Sequence, residues 1–175
     1  NAAGFVCWRL GVDDLDFMKY ITTFRGASKR LELVKQTADS AVYKDFAHAP
    51  SKVRATVRAM REHYPTRRLV ACLELHTFSS LTAQFLANYQ GTMDMADEPI
   101  VYFNPKAVAH KKLPPLTIEQ VQEAFGSPRI KVYNDSAALV SDLQKETWPN
   151  TNLLLMSSGN FDGLDFTQLS NTLLP

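Results

Sequence analysis

Residues 69–75 form an almost unbroken apolar segment, L-V-A-C-L-E-L, and this segment constrains the fold more than any other part of the chain. Strands that are buried on both faces, as in parallel sheets, have such a composition. Around it, short apolar runs alternate with segments of helical periodicity, an order of elements that produces a parallel sheet covered by helices. The sequence therefore predicts an α/β domain.

One part of the predicted sheet departs from the parallel arrangement. The polar segment 37–40, T-A-D-S, suits a tight turn between two apolar stretches and predicts a hairpin at the start of the domain. We predict six strands, at residues 31–35, 41–46, 69–75, 99–103, 130–133 and 152–156. The predicted fold is a three-layer Rossmann-like domain with helices on both faces. Its six-stranded mixed sheet is mostly parallel, with the first strand antiparallel.

The helices are predicted from apolar periodicity and from capping residues. A short apolar helix at 2–10 is followed by a second one with Leu15, Met18 and Ile21 on its buried side. Ser51 is predicted to cap a basic amphipathic helix that ends near residue 64. Further helices are predicted at 79–89, 117–125, 135–146 and 164–174, and residues 104–115 are predicted to form a surface loop.

Composition narrows the possible partners. The 175 residues are enough for a substantial core, and the formal net charge of +1 gives no reason to predict a nucleic acid or a membrane as a partner. No apolar run reaches transmembrane length. The four histidines lack the spacing of a metal site, so no metal ligand is predicted. With two cysteines, one of them in the apolar segment, a cytoplasmic location is expected.

Polar side chains follow three of the predicted strands where each strand ends. Asp45 lies at the end of the second strand and His48 just after it, His76 follows the third, and the segment 157–163, S-S-G-N-F-D-G, follows the last. Open α/β sheets bind ligands at the carboxyl ends of their strands. Arg30, in a basic segment before the first strand, could hold an anion such as phosphate. Each pattern taken separately is also that of an ordinary turn or a solvated basic loop.

Two of these segments resemble motifs of one enzyme family. D-F-A-H-A-P at 45–50 resembles the D-Y-A-H-x-P motif in the C-terminal domain of the Mur ligases, ATP-dependent amide-forming enzymes of peptidoglycan building and recycling. F-R-G-A-S-K-R-L-E at 24–32 resembles the F-x-G-x-x-R-R-x-E element of the same family. The resemblance implies that Arg30 is catalytic and reaches the terminal phosphate of ATP. It also implies that Asp45 and His48 bind the nucleotide, His48 by orienting the loop.

Two further segments are similar to elements that line the substrate pocket in this family. H-T-F-S-S at 76–80 resembles P-H-x-Y-S-R, with Ser80 where the family has Arg. L-M-S-S-G-N-F-D-G at 155–163 resembles the M-S-N-G-x-F-x-G element of one branch, the UDP-N-acetylmuramate:L-alanyl-γ-D-glutamyl-meso-diaminopimelate ligases. The resemblance implies that the substrate is bound by His76, Ser157, Ser158, Asn160 and Phe161.

The resemblance covers nearly the whole chain and implies a reaction. The branch joins the tripeptide L-Ala-γ-D-Glu-meso-diaminopimelate to UDP-N-acetylmuramate in peptidoglycan recycling, by activating a carboxylate as an acyl phosphate. ATP and Mg²⁺ are implied as cofactors, held mainly by a central domain, and the enzyme's own N-terminal and central domains are implied as partners. Residues 1–23 would be the helical end of that central domain or a linker, and residues 24–175 the C-terminal domain.

Alternatives remain open from the sequence. The chain could belong to an amino-acid-adding Mur ligase such as UDP-N-acetylmuramate–L-alanine ligase, or be a non-catalytic module that binds a nucleotide or peptide. A dinucleotide oxidoreductase fits least, because no G-x-G-x-x-G follows the first strand. The start in a helix-like segment without Met suggests part of a longer polypeptide. Since no G-x-x-x-x-G-K-[ST] loop is present, we expect the chain by itself to be inactive.

Overall fold

A six-stranded mixed sheet organises the fold of this chain, whose computed structural model describes residues 2–23 and 30–175. The strands lie in the order β1-β2-β6-β3-β4-β5. β1 runs antiparallel to β2, and every other pair of neighbours is parallel. The predicted fold is thereby confirmed. The strands are β1 (Glu32–Gln36), β2 (Ala41–Asp45), β3 (Arg68–Leu75), β4 (Glu98–Phe103), β5 (Lys131–Tyr133) and β6 (Thr151–Met156).

Helices cover both faces of this sheet. Their bounds are α1 (Ala2–Arg9), α2 (Asp14–Ile21), α3 (Pro50–His63), α4 (Ala83–Leu86), α5 (Pro105–His110), α6 (Ile118–Phe125), α7 (Ser136–Lys145) and α8 (Phe166–Leu173). One apolar core packs α3, α4, α5 and α6 against the sheet, and a second core packs α7 and α8 against the opposite face. The central strand β3 contributes to both cores, alternating Ala71 and Leu73 with Val70 and Cys72. Burial on two faces explains its apolar composition.

Two helix starts differ from the sequence prediction because proline occupies the first helical position. The predicted Ser51 cap is wrong: α3 begins at Pro50, and Ala49 precedes it without a side-chain cap bond. The predicted loop 104–115 is also wrong in part, since it contains α5. Pro105 starts that helix, and the Asn104 side chain accepts a hydrogen bond at 2.8 Å from the backbone amide of Lys106, the second residue of the helix. Proline suits this position because its φ is preset and the missing N–H would have no helical partner there.

The predicted continuous helix at 79–89 is interrupted. It consists of a 3₁₀ turn (Ser79–Leu81), the single-turn helix α4 and a second 3₁₀ turn (Ala87–Tyr89). Thr82 between the first two has extended backbone, with φ −104° and ψ 132°. Leu81 and Tyr89 are nevertheless buried in the core, as the apolar spacing indicated.

The α1–α2 hairpin contributes no buried residue to the described structure. The prediction of a buried side on α2 is wrong: Leu15 is 84% exposed, Met18 60% and Ile21 38%. The apolar periodicity therefore predicted the α2 helix correctly, but the prediction that its apolar side is buried was wrong. Within residues 2–23 and 30–175, no helix has the length and apolar content needed to span a membrane.

Candidate functional site

The residues singled out by the sequence lie along one edge of the sheet. Because β2, β6 and β3 are parallel neighbours, their carboxyl ends lie side by side. Asp45 is the last residue of β2, and Ser157 and His76 directly follow β6 and β3. The backbone amide of Ser157 donates to the Asp45 carbonyl oxygen at 3.0 Å. The fold thus brings these three segments to the edge where open α/β sheets bind ligands.

The Asp45 carboxylate holds the backbone of its own turn and the backbone just before β1. One oxygen accepts a 2.7 Å hydrogen bond from the amide of Leu31, and the other accepts one of the same length from the amide of Ala47. Leu31 has a φ of +41°, in the left-handed region that is unfavourable for a leucine. The hydrogen bond that the Leu31 amide donates to the Asp45 carboxylate is charge-assisted and offsets part of that strain. Asp45 therefore fixes the backbone directly beside Arg30.

Arg30 and Asp45 line the same cavity, which has a volume of about 420 Å³. Phe46, Lys52 and Thr56 also line it. Two cations and a carboxylate thus face one space, and such a space attracts an anionic group that also offers hydroxyl or amine donors. The remainder of the basic element before Arg30, residues 24–29, lies outside the described residues.

His48 orders the turn beside this cavity. Its Nδ1 lies 2.9 Å from the Phe46 carbonyl oxygen, which can only accept, so Nδ1 is the donor of this hydrogen bond. The His48 and Phe46 rings meet edge to face at 5.1 Å. The His48 carbonyl oxygen accepts a hydrogen bond from the Tyr89 hydroxyl. Burial raises the pKa of Tyr89 to about 12, so that donor stays protonated well above neutral pH. Among the described residues, those lining the Arg30 cavity do not include His48.

A buried carboxylate that the sequence analysis did not single out joins the ends of β3 and β6. Glu74 is 2% exposed, and its Oε2 accepts hydrogen bonds from the Ser157 hydroxyl and, at 2.9 Å, from the Phe161 amide. Its Oε1 lies 3.5 Å from Nδ1 of His76. The sequence signal for this residue was an acid within the otherwise apolar segment 69–75. A buried acid seldom lacks hydrogen-bond partners, so its position indicated a polar contact.

The segment 157–163, called the β6–α8 loop below, is held by an aromatic anchor. Phe161 is fully buried and its ring stacks on Tyr102 with centroids 5.9 Å apart. Phe161 and Asp162 both have positive φ, 50° and 62°. Because the Phe161 ring is enclosed, any contribution of this residue to substrate binding comes from the shape it gives the loop. Asn160 is exposed.

A smaller cavity of about 140 Å³ adjoins the first, since Asp45 and Phe46 line both. The β6–α8 loop contributes Ser157, Ser158 and Gly159 to its wall. The hydroxyl oxygen of Ser158 is buried and has no hydrogen-bond partner among the described residues. A hydroxyl of this kind can donate to a bound ligand.

The H-T-F-S-S segment lacks the cation that its family counterpart carries. Ser80 is buried, and its hydroxyl donates to the Thr77 carbonyl oxygen at 3.1 Å. The Ser80 side chain is thus hydrogen-bonded within its own turn. Within the described ranges, no three His, Cys, Asp or Glu side chains lie where they could hold a metal ion.

Comparison with known proteins matches residues 29–159 to the family model "Mur ligase, glutamate ligase domain". A UDP-N-acetylmuramate–L-alanine ligase of Lactococcus lactis subsp. lactis is 32% identical over 158 residues, covering 89% of this chain and 33% of the relative. This chain thus spans about a third of the length of the curated relatives it matches.

Solved structures share the fold. A domain of a UDP-N-acetylmuramate:L-alanyl-γ-D-glutamyl-meso-diaminopimelate ligase from Haemophilus ducreyi matches with a TM-score of 0.56 and 26% identity, covering 82% of this chain and 99% of that domain. A murein peptide ligase from Psychrobacter arcticus matches with a TM-score of 0.65 and 21% identity, covering 89% of this chain and 32% of that protein. Since the family model spans most of the chain, the predicted family is confirmed. The chain belongs to the Mur ligase family, of which it carries the C-terminal, glutamate ligase domain.

Proposed function

We propose that this chain is the C-terminal domain of an ATP-dependent ligase that joins the L-Ala-γ-D-Glu-meso-diaminopimelate tripeptide to UDP-N-acetylmuramate in peptidoglycan recycling. Members of the Mur ligase family are ATP-dependent ligases. The branch assignment is supported by Met156 and the β6–α8 loop that follows it, since their sequence M-S-S-G-N-F-D-G is similar to that of the tripeptide-adding enzymes. The Haemophilus ducreyi domain described for that reaction is 26% identical to this chain.

The observation that carries the proposal is that the residues suited to bind a nucleotide and the residues suited to bind a peptide lie on one edge of the sheet. The Arg30–Asp45 cavity offers cationic groups for phosphate and adjoins the cavity lined by the β6–α8 loop. An enzyme that forms an acyl phosphate and then an amide must hold both reactants in contact, because proximity and charge neutralisation supply most of the rate.

The roles follow from the chemistry of each group. Arg30 stabilises the charge on the transferring phosphate, and Asp45 binds the nucleotide, with lone pairs beyond those that hold the backbone. His48 orients this turn. His76 and the residues Ser157, Ser158 and Asn160 contact the incoming peptide. The amine of that peptide displaces phosphate from the activated carboxylate, so that the new amide bond forms as the bond to phosphate breaks.

ATP and Mg²⁺ are cofactors of the proposed whole enzyme. Since this chain has no P-loop, we assign their main binding site to the other domains of a longer, cytoplasmic enzyme. Those N-terminal and central domains are its proposed partners, together with UDP-N-acetylmuramate and the tripeptide. A Mur ligase C-terminal domain without them is expected to be catalytically inactive.

A second candidate is an alanine-adding ligase. The relatives from Lactococcus lactis bear the name UDP-N-acetylmuramate–L-alanine ligase, and their identity to this chain reaches 32%. The two candidates differ in the size and charge of the incoming amine, since L-alanine would leave most of a tripeptide pocket unfilled.

Steady-state kinetics with the whole enzyme separates these candidates. The tripeptide and L-alanine are compared as acceptors in the presence of ATP, Mg²⁺ and UDP-N-acetylmuramate. We expect kcat/KM for the tripeptide to exceed that for L-alanine by about 100-fold or more, because several additional polar contacts discriminate between them. The opposite order would favour the alanine-adding candidate. Ligation of neither amine would leave a binding module as the better description.

A further inference from the structure

We infer that Glu74 is a positioning residue: its buried carboxylate fixes the β6–α8 loop against His76 and so determines how tightly the enzyme binds its incoming amine. This inference rests on the proposed function, in which these two segments contact the amine. Glu74 itself lies too deep to touch a substrate, at 2% exposure, so it acts through the groups that it holds.

The strand does not need a carboxylate at this position. Glu74 lies between Leu73 and Leu75, which are buried, and β3 packs both its faces in apolar cores. An acid there incurs a desolvation cost that an apolar side chain of similar size would avoid. The stability of the sheet therefore gives no reason for Glu74.

The hydrogen bonds of Glu74 supply the reason. Both donors to its Oε2, the hydroxyl of Ser157 and the amide of Phe161, belong to the β6–α8 loop. The Ser157 oxygen in turn accepts a 2.6 Å hydrogen bond from the amide of Gly159. One carboxylate oxygen thus ties the first part of the loop to the end of β3, while Oε1 lies 3.5 Å from the His76 ring.

Gly159 shows how closely the loop is fitted to this pair. A Cβ added at this glycine would lie 2.7 Å from Cγ of His76 and 2.8 Å from Oε2 of Glu74. Real Cβ atoms do not make contacts of that length, so any side chain would force the loop or the His76 ring to move. The loop, His76 and Glu74 form one packed unit.

Two substitutions separate anchoring from other roles. Glu74→Gln can place its carbonyl oxygen where Oε2 lies and keep both loop donors paired, with its amide group toward Nδ1 of His76. Glu74→Leu keeps a similar volume but leaves the Ser157 hydroxyl and the buried Phe161 amide without an acceptor. Because leaving buried donors unpaired is costly, the loop is expected to leave its position in the leucine variant.

Two measurements test the inference. In the chain itself, amide hydrogen exchange at Phe161 is expected to accelerate by about tenfold or more in Glu74→Leu and by less than about threefold in Glu74→Gln. In the whole enzyme, the leucine variant should raise KM for the amine by about tenfold while changing KM for ATP by less than about twofold, and the glutamine variant should restore the wild-type value.

Several results would overturn the inference. Unchanged Phe161 exchange in Glu74→Leu would mean that the carboxylate does not anchor the loop. Equal increases in KM for ATP and for the amine would indicate general damage. If the leucine variant does not fold, Gly159→Ala is measured in its place, because it retains Glu74 but forces the loop or the His76 ring to move. A wild-type KM for the amine in Gly159→Ala would also refute the inference. A wild-type enzyme without ligase activity would refute the proposed function instead, while the exchange measurement still tests the anchor.

Discussion

Arg30 and Asp45 are coupled through a single backbone amide, that of Leu31. The Asp45 carboxylate accepts from that amide at 2.7 Å, and the residue it holds has an unfavourable positive φ. A cation that must meet a developing negative charge gains from a fixed backbone, because preorganised groups need no rearrangement during the reaction. In this arrangement a residue proposed to bind the nucleotide also sets the position of the proposed catalytic arginine.

Replacing Arg30 tests its proposed role. We expect Arg30→Ala in the whole enzyme to lower kcat by about 100-fold or more, since removal of one charge-stabilising donor typically costs that much. Arg54→Ala is the matched control: Arg54 lies on the exposed surface of α3, and its guanidinium donates to the Gln90 carbonyl oxygen. The control should retain wild-type turnover. Wild-type kcat in Arg30→Ala would remove this residue from the mechanism.

Motifs identified polar residues in turns but not the buried residue that connects two of those turns. Asp45, His76 and Ser157 stand out because they follow apolar runs, and topology brings them to one edge. Glu74 gave a weaker signal, since an acid near a strand end is usually solvent-exposed. Its role depends on contacts across 83 and 87 residues of sequence, to Ser157 and Phe161, which local patterns do not reveal.

Strands and helices differed in how well the sequence predicted them. β3 was predicted closely because burial on two faces leaves a continuous apolar run. The short helix α5 was missed, and α4 was predicted only as part of a longer continuous helix, since such short helices depend on caps and tertiary contacts more than on periodicity. For α2 the periodicity predicted the helix and gave the wrong burial of Leu15 and Met18, because periodicity does not tell which partner covers an apolar side.

A charged cluster lies at the amino ends of β3, β4 and β5, at the sheet edge opposite the candidate site. Glu98 accepts from Lys131 at 2.6 Å and also pairs with Arg68. Burial by itself would raise the pKa of Glu98, but the hydrogen bonds from Lys131 and Arg68 outweigh it and lower the pKa. The hydrogen bond to Glu98 raises the pKa of Lys131. The cluster joins three strands through side chains.

The lowered pKa makes the stability of the chain depend on acidity. Because the folded state holds Glu98 deprotonated more strongly than the unfolded state, its contribution is complete above the ordinary value of 4.5 and is lost as pH falls through the lowered folded value. We expect Glu98→Gln to reduce the free energy of unfolding at pH 7 by about 1–3 kcal/mol and to flatten its decline below pH 4.5.

Chemical denaturation measures both the loss of unfolding free energy and its pH dependence. The titration runs from pH 3 to pH 7, a range that includes the ordinary carboxylate pKa values. Glu62→Gln is the matched control, because Glu62 pairs with Arg58 on the surface of α3 with both side chains 65% exposed. Exposed pairs of this kind contribute less than about 1 kcal/mol. Equal effects of the two substitutions would show that the cluster adds nothing beyond ordinary surface charge.

At the scale of the whole molecule, the charged cluster and the candidate site occupy opposite edges of one sheet. The charged cluster ties the amino ends of three strands together, whereas the carboxyl ends carry the cavities and the β6–α8 loop. This division follows from the parallel topology, which gives every loop at the carboxyl edge access to a common space. It also explains why fold and family could be predicted while the substrate could not. Substrate choice depends on a few side chains in that space, and the fold does not determine which ones they are.

The proposed domain boundary between residues 23 and 24 makes a prediction about the whole chain. No residue of α1 or α2 is buried, and Leu15 and Met18 lie mostly in solvent, so the hairpin contributes little apolar burial to the sheet domain. Removing residues 1–23 should therefore change the free energy of unfolding by less than about 1 kcal/mol, as measured by denaturant titration. Leu153→Ala, at a fully buried position of β6, is the positive control and should cost about 2–5 kcal/mol. A loss in the truncated chain comparable to that of the control would mean that the hairpin is part of the same cooperative unit, and the boundary would have to move toward residue 1.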